Sequence, residues 1–166
     1  ASGHHLLNMI NDILDLSKIE SGQLELVDQV FSLRSLISET ENIFKLQAKD
    51  KGLEFSVDMA SSLPHFVEAD DHKIRQILMN LIGNAVKYTE KGSINLKIWV
   101  KDKHTRSKLN SSLFVFEFRD TGRGIPEDQL ADIFLPFKQV RGHFNKGTGL
   151  GLTITKNLIE LMKGTI

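Results

Sequence analysis

Two asparagines one helical turn apart, followed by a lysine and an aromatic ring, form the first group of residues able to do chemistry together. Asn80, Asn84, Lys87 and Tyr88 sit at i, i+4, i+7 and i+8, so a helix would put them in one stripe. Two amide carbonyl oxygens at that spacing suit a hard divalent cation such as Mg²⁺, which takes few protein ligands and keeps phosphate and water oxygens. A lysine one turn further on can meet phosphate, and the ring beside it can pack on a base or a sugar. The plain alternative is the solvated polar flank of an ordinary helix.

A second group is Asp120-Thr121-Gly122-Arg123-Gly124-Ile125-Pro126, directly after a strand of alternating apolar residues. A carboxylate at a strand end can accept a hydrogen bond from an exocyclic amine, while glycines let the backbone approach a ring. The same run also reads as a tight turn, because Asp-x-Gly is common turn chemistry. It is not the dinucleotide-binding fingerprint, in which the helix follows at once with a third glycine. The third group is Gly147-Thr148-Gly149-Leu150-Gly151-Leu152, leading into a helix. Glycines ahead of a helix N-terminus expose backbone N–H groups and the positive end of the helix dipole, which together make an anion site. The run lacks the Gly-Lys-Ser/Thr ending of a P-loop. The polar loop between Phe137 and Gly147 is a candidate lid over a ligand, or else a plain connection.

These groups need a scaffold. A helix from about Asp71 to Tyr88 carries Ile74, Ile77, Leu78, Leu81, Ile82 and Ala85 on one face, with the asparagine stripe along its flank. Residues 93–101 and 113–119 alternate as two strands, and the polar stretch between them reads as an exposed hairpin loop. A last helix spans about Gly151 to Met162. Earlier, residues 24–31 read as a strand. Ser32 caps a helix with Leu33, Leu36, Ile37, Thr40, Ile43 and Phe44 on one face. A short strand follows Gly52, and a second extended piece follows the Pro64 turn.

The opening is different in kind. Leu6, Met9, Ile13 and Leu16 recur at 3-4-3 spacing, and Leu7, Ile10 and Leu14 widen the apolar arc to about half the circumference. A helix over residues 4–21 with that arc wants partners on two sides, as in a bundle, and Gly22 ends it. Both ends of the chain read as cut from something longer.

Bulk composition narrows the function classes. The 166 residues make one domain with a small appendage, and 40% apolar with 25% charged residues is the balance of a globular protein. With 21 basic and 21 acidic residues there is no basic excess of the kind nucleic-acid binding leaves, so no nucleic-acid partner is expected. Absence of cysteine removes disulfides and thiolate zinc sites. His65, His72, His104 and His143 show no mutual spacing that suggests metal binding, and no apolar run approaches a membrane span.

Taken in order, the motifs resemble those of the sensor histidine kinases, in the wider family that includes the gyrase and heat-shock chaperone ATPases. Asn80-Leu-Ile-Gly-Asn84-Ala-Val-Lys87-Tyr88-Thr resembles the N box, and Asp120-Thr-Gly122-Arg-Gly124-Ile125 the G1 box. Ile133-Phe134-Leu135-Pro136-Phe137 resembles the F box, and Gly147-Thr148-Gly149-Leu150-Gly151-Leu the G2 box. Residues 1–22 are similar to the second helix of the family's dimerisation bundle, which leaves 23–166 as an ATP-binding catalytic domain. The implied fold is a two-layer α/β sandwich, a mixed sheet packed on three helices, preceded by the bundle helix.

The resemblance implies ATP and Mg²⁺ as ligands. Asn80 and Asn84 would lie on the Mg²⁺–triphosphate with Lys87, and Tyr88 against the nucleotide. Asp120 would accept from the adenine 6-amino group, with Gly122, Gly124 and Ile125 alongside. Gly147, Thr148, Gly149, Leu150 and Gly151 would form the lid hinge and phosphate-facing turn, with Arg141 and Lys146 as phosphate contacts from the lid. Implied partners are the histidine-bearing bundle helix of the same parent protein, a response-regulator receiver domain and a second copy in a homodimer. The implied location is a cytoplasmic domain of a parent that can be membrane-anchored.

Three departures stand out. Leu135 replaces the usual glutamate of the F box, the chain stops at Lys163-Gly164-Thr165-Ile166 before the family's closing strands, and the phosphoaccepting His-Glu/Asp-x-Arg segment is absent. His4 and His5 head the bundle helix in another context. The gyrase and chaperone relatives carry a glutamate at the position of Asn80 to activate water. Asparagine there implies ATP binding with slow or no hydrolysis. The alternative function is a nucleotide-binding regulatory module without kinase activity.

Overall fold

Alternating and helical periodicities succeed one another along the chain, and in the computed structural model they become four α-helices, one 3-10 turn (Glu127–Gln129) and five strands among the described residues. Those are 2–101, 112–139 and 147–166, with the backbone alone described for 2–5 and for Asn8. The expected hairpin loop between the two long strands falls outside them.

Helix α1 (Ser2–Glu20) ends where Gly22 and Gln23 donate to the carbonyls of Ile19 and Lys18. Of the extended stretch expected over 24–31, only β1 (Gln29–Phe31) pairs, antiparallel to β3 (Val67–Ala69). The segment before it is tied down otherwise. Leu24 packs with α1, and the Val27 N–H donates to Asp70 (3.0 Å). That same buried Asp70 caps helix α3 (Asp71–Tyr88) by accepting from the Lys73 N–H.

Helix α2 (Leu33–Asp50) begins at Ser32, whose hydroxyl accepts from the Ser35 N–H. Its expected face is buried except for Ile43, which stays 43% exposed while Ala48 takes the inward place one turn beyond Phe44. The ammonium of Lys51 reaches the carbonyls of Val86, Lys87 and Thr89 at 2.5, 3.3 and 3.3 Å. A cation there meets the negative end of the α3 dipole and fixes that helix's last turn.

Strand β2 (Glu54–Met59) lies parallel to β4 (Ser93–Lys101), which pairs antiparallel with β5 (Leu113–Asp120) in the order β2-β4-β5. The expected mixed sheet is therefore three strands, with β1 and β3 forming a separate ribbon. Ile94, Leu96 and Ile98 of β4 meet Leu33, Ile37 and Phe44 of α2 and Leu78 and Ile82 of α3 in the main core. Helix α4 (Gly151–Leu161) does not join that layer. Its Leu150, Ile154 and Leu158 form a second, smaller cluster with Leu16 of α1 and Ile77 of α3. The expected α/β arrangement of a mixed sheet packed with helices holds, and α4 makes its main contacts with α3 and α1. No helix among the described residues is long and apolar enough to cross a membrane.

Candidate functional site

Strand alternation places the first functional side chain. Phe114, Phe116, Phe118 and Asp120 share one face of β5, and the three rings pack into the core toward the helices. Asp120 thus ends an apolar row on the helix side of the sheet. One of its oxygens accepts from the Gly122 N–H (2.9 Å), and a carboxylate keeps further acceptor capacity for a ligand. Gly122 has no room for a side chain, since a Cβ would come within 2.6 Å of Asp120 Oδ1 and 2.9 Å of the Tyr88 carbonyl. The turn after β5 is therefore pressed against the end of α3. Thr89, fully buried at that end, has its hydroxyl beside Gly122 without a hydrogen-bond partner among the described residues. Gly124 has no such neighbour among the described residues. The space at its Cβ is open, and its φ of +70° is the feature that favours glycine.

Helical period places the second set. Asn80, Asn84, Lys87 and Tyr88 lie half-buried along the flank of α3, with the Lys87 ammonium 4.8 Å from the Tyr88 ring centroid. Asn80 is clasped by α4. Its Nδ2 donates to the Thr155 hydroxyl (2.7 Å), and any side chain at Gly151 would collide with its amide oxygen. Gly151 is thus a packing requirement that lets the head of α4 sit on α3. A Cβ at Gly147 would lie 2.8 Å from the Lys87 ammonium, so that ammonium already faces the glycine-rich turn.

The stems on either side of residues 140–146 are joined. Phe137 N–H donates to the Gly149 carbonyl (3.0 Å), and Gln139 Nε2 to the Gly147 carbonyl (2.8 Å). Gly149 has φ +73° and lies so close to Phe137 that a Cβ would be 2.9 Å from its backbone, which leaves glycine as the residue that fits. Arg141 and Lys146, the expected lid contacts, lie outside the described residues.

The three groups meet in one cleft of about 960 Å³, between β5, α3 and the head of α4. Asn80, Asn84, Lys87, Tyr88, Asp120, Gly124, Ile125, Gly147, Thr148, Gly149 and Gly151 line it. Gly122 and Leu150 stand behind the lining, Gly122 beneath Asp120 and Leu150 in the α4 cluster. Leu135 is exposed and does not line the cleft, whereas its neighbours Ile133 and Phe134 do, and Lys156 of α4 lies over the Phe134 ring (5.5 Å).

Several lining residues escaped the sequence reading. Thr155 repeats one turn after Gly151, so helical period could have found it. Gln76 lies one turn before Asn80 on α3, so the same period could have found it; Asp12 could not be found that way, because it meets the cleft only through the docking of α1 on α3 and α4. Thr148 donates to Asp12 Oδ2 (3.1 Å), and Gln76 donates to Asp15 (2.8 Å). Burial pushes the Asp12 carboxyl above its usual range; the Thr148 hydrogen bond opposes this and the charge of Asp15 adds to it.

The chain is similar to known proteins. The profile of the "Histidine kinase-, DNA gyrase B-, and HSP90-like ATPase" family matches residues 69–166. Signal transduction histidine-protein kinase BarA of Escherichia coli (strain K12) is 39% identical over 99% of this chain and 18% of its own length. Sensory/regulatory protein RpfC of Xanthomonas campestris is 36% identical over 100% of this chain and 23% of its own. The chain thus spans about a fifth of the length of these relatives. Among solved structures, full-length ShkA in complex with AMPPNP superposes at a TM-score of 0.81 with 33% identity, over 98% of this chain and 32% of that one. The catalytic domain of histidine kinase ThkA superposes at 0.61 with 31% identity, over 81% of this chain and 82% of that one. By this family match and this likeness, the chain belongs to the histidine kinase-, DNA gyrase B- and HSP90-like ATPase family, as a histidine kinase catalytic domain.

Proposed function

We propose that the cleft binds ATP and holds its γ-phosphate for transfer to a histidine on a bundle helix of the parent protein. The observation that carries this reading is the convergence of Asp120, the Asn80–Tyr88 stripe and the Gly147–Gly151 turn on one cavity. The neighbour solved with AMPPNP supports it. In this reading Asp120 accepts from the adenine amine, Tyr88 and Ile125 flank the base, and Lys87 meets phosphate at the glycine turn. Arg141 and Lys146, outside the described residues, would be further phosphate contacts. Phosphoryl transfer asks for position and neutralised charge more than for covalent chemistry, and these residues supply both.

The donor set fits Mg²⁺. No cluster of three or more acidic, histidine or cysteine side chains that could hold a metal exists among the described residues, whereas two amide oxygens in the cleft suit an ion that keeps phosphate and water ligands. Asn84 would hold it with Asn80, whose amide nitrogen is already given to Thr155. The ion would neutralise phosphate charge. Without a carboxylate at position 80 there is no base there for water, and slow hydrolysis follows.

Residues 1–22 are read as part of the dimerisation bundle and 23–166 as the catalytic domain. The exposed Leu6, Leu7, Ile10, Ile13 and Leu14, each 45–59% accessible, support a second helical partner. A homodimeric, cytoplasmic arrangement that passes phosphate to a response-regulator receiver domain completes the proposal. Thermal unfolding with ATP, ADP and GTP, each with and without Mg²⁺, tests it. A ligand at 100 times its dissociation constant adds about 2.7 kcal/mol, which raises the midpoint of a domain this size by about 5–10 °C. Adenine nucleotides should give that rise, GTP should not, and Asp120→Asn should erase it. An unchanged midpoint with every nucleotide in a folded sample would reject the reading.

A further inference from the structure

Three carboxylates in the cleft, Asp12, Asp128 and Asp132, belong to neither the sheet nor the nucleotide-facing boxes, and Asp12 is the one supplied by α1. Asp12 projects from α1, 136 residues away in sequence from Thr148, and accepts from its hydroxyl. The Thr148 hydroxyl in turn accepts from the Leu150 N–H (3.1 Å), so its donor and an acceptor lone pair are both committed across the head of α4. Two further contacts seat α1 beside this bond. Leu16 is buried among Leu150, Ile154 and Leu158, and Gln76 of α3 donates to Asp15. Asp12 makes no ion pair among the described residues, yet it lines the same cleft as Asn84, Lys87 and the glycine turn.

We infer that Asp12 is a charge-sensing positioning residue: it fastens helix α1 to the phosphate-facing turn, and a polyphosphate in the cleft opposes that fastening. The inference rests on the nucleotide reading of the cleft. A half-buried carboxylate and a polyphosphate lining one cavity repel each other through a medium that screens less than water. Entry of phosphate therefore raises the free energy of the state in which α1 is docked. By reciprocity, undocking α1 strengthens polyphosphate binding by the same factor that polyphosphate weakens docking. A ligand without phosphate carries no such penalty. The bundle helix would thus sense whether the cleft is charged, through one side chain and one hydroxyl.

The test uses the 166-residue chain and two readouts: binding of ADP and of adenosine without added Mg²⁺, and amide hydrogen exchange of residues 9–20. Asp12→Asn keeps an oxygen that can accept from Thr148 and removes the charge. It should tighten ADP by about 5-fold or more, the lower end of typical site-to-site coupling, and leave adenosine unchanged. In the unaltered chain ADP should speed exchange in α1, and in Asp12→Asn this effect should disappear. Thr148→Val should speed α1 exchange without ligand, and Thr148→Ser should restore slow exchange. Weaker ADP binding by Asp12→Asn, or ADP that slows α1 exchange, overturns the inference while leaving the nucleotide cleft intact. A chain that binds neither ligand overturns both.

Discussion

The two hydrophobic clusters differ in size and in what they hold. Among the described residues the larger unites α2, α3 and the three-stranded sheet through fourteen buried side chains, including Ile37, Leu78, Ile82 and Ile98. The smaller has four, Leu16, Leu150, Ile154 and Leu158, and joins α4 to α1 and α3. The cleft lies where they meet, with Asp120 and the end of α3 on the large-cluster side and the glycine turn and Asp12 on the other. A ligand would therefore bridge a well-packed wall and a lightly packed one. Local stability follows the density of buried contacts, so the second wall is the one free to move.

Truncation breaks this comparison most strongly. Ile82→Ala removes a side chain that is 1% exposed, and Leu158→Ala one that is equally buried. Each costs about 2–5 kcal/mol where it acts. In the large cluster that loss should appear as a drop in global stability to urea. In the small cluster it should appear first as faster amide exchange in 151–161 and 6–20, with a smaller global change. Equal global losses with no local opening would mean that the two clusters are one cooperative unit.

A smaller effect sharpens the seam between the walls. Asn80 reaches across it to Thr155, which is 1% exposed, so Asn80→Ala would leave a buried hydroxyl without its partner. The cost is about 1–3 kcal/mol, whereas Thr155→Val in the same background should recover part of it, because no orphaned group then remains. Additive losses in that double-mutant cycle would mean that the two side chains do not hold each other.

Legibility in the sequence follows the same division. The α3 stripe, the Asp120 turn and the glycine run were readable because period and spacing are local, and local geometry carries them into the cleft unchanged. Both core faces of α2 and β4 were readable for the same reason, apart from Ile43, which the arc includes and the packing leaves out. The separate β1–β3 ribbon was not legible, since pairing between distant short strands leaves no periodic trace. Nor was the departure of α4 from the sheet layer. An apolar face says that a helix is buried, and only tertiary packing says against what. Asp12 is the sharpest case. It looks like any polar residue between Ile10 and Leu14 until α1 docks on the head of α4.

The smallest expected effect asks which force governs that docking at neutral pH. Burial, the largest influence, raises the Asp12 carboxyl above its reference value of 3.8 in the folded chain, with the Asp15 charge adding to it. The folded state then binds the proton more readily than the unfolded one, so stability falls as pH rises through the window between the two values. Above that window the chain carries the full cost of an ionised, half-buried carboxylate; below it the carboxyl is protonated in both states and the cost is gone. Asp12→Asn keeps an acceptor for Thr148 and cannot ionise. Its unfolding midpoint should sit slightly above that of the unaltered chain at neutral pH, and the difference should shrink toward zero as pH falls below 3.8. A variant less stable at neutral pH, with the deficit vanishing in acid, would reverse the sign: the charged hydrogen bond to Thr148 would then outweigh desolvation, and the light wall would be held by the very charge expected to loosen it.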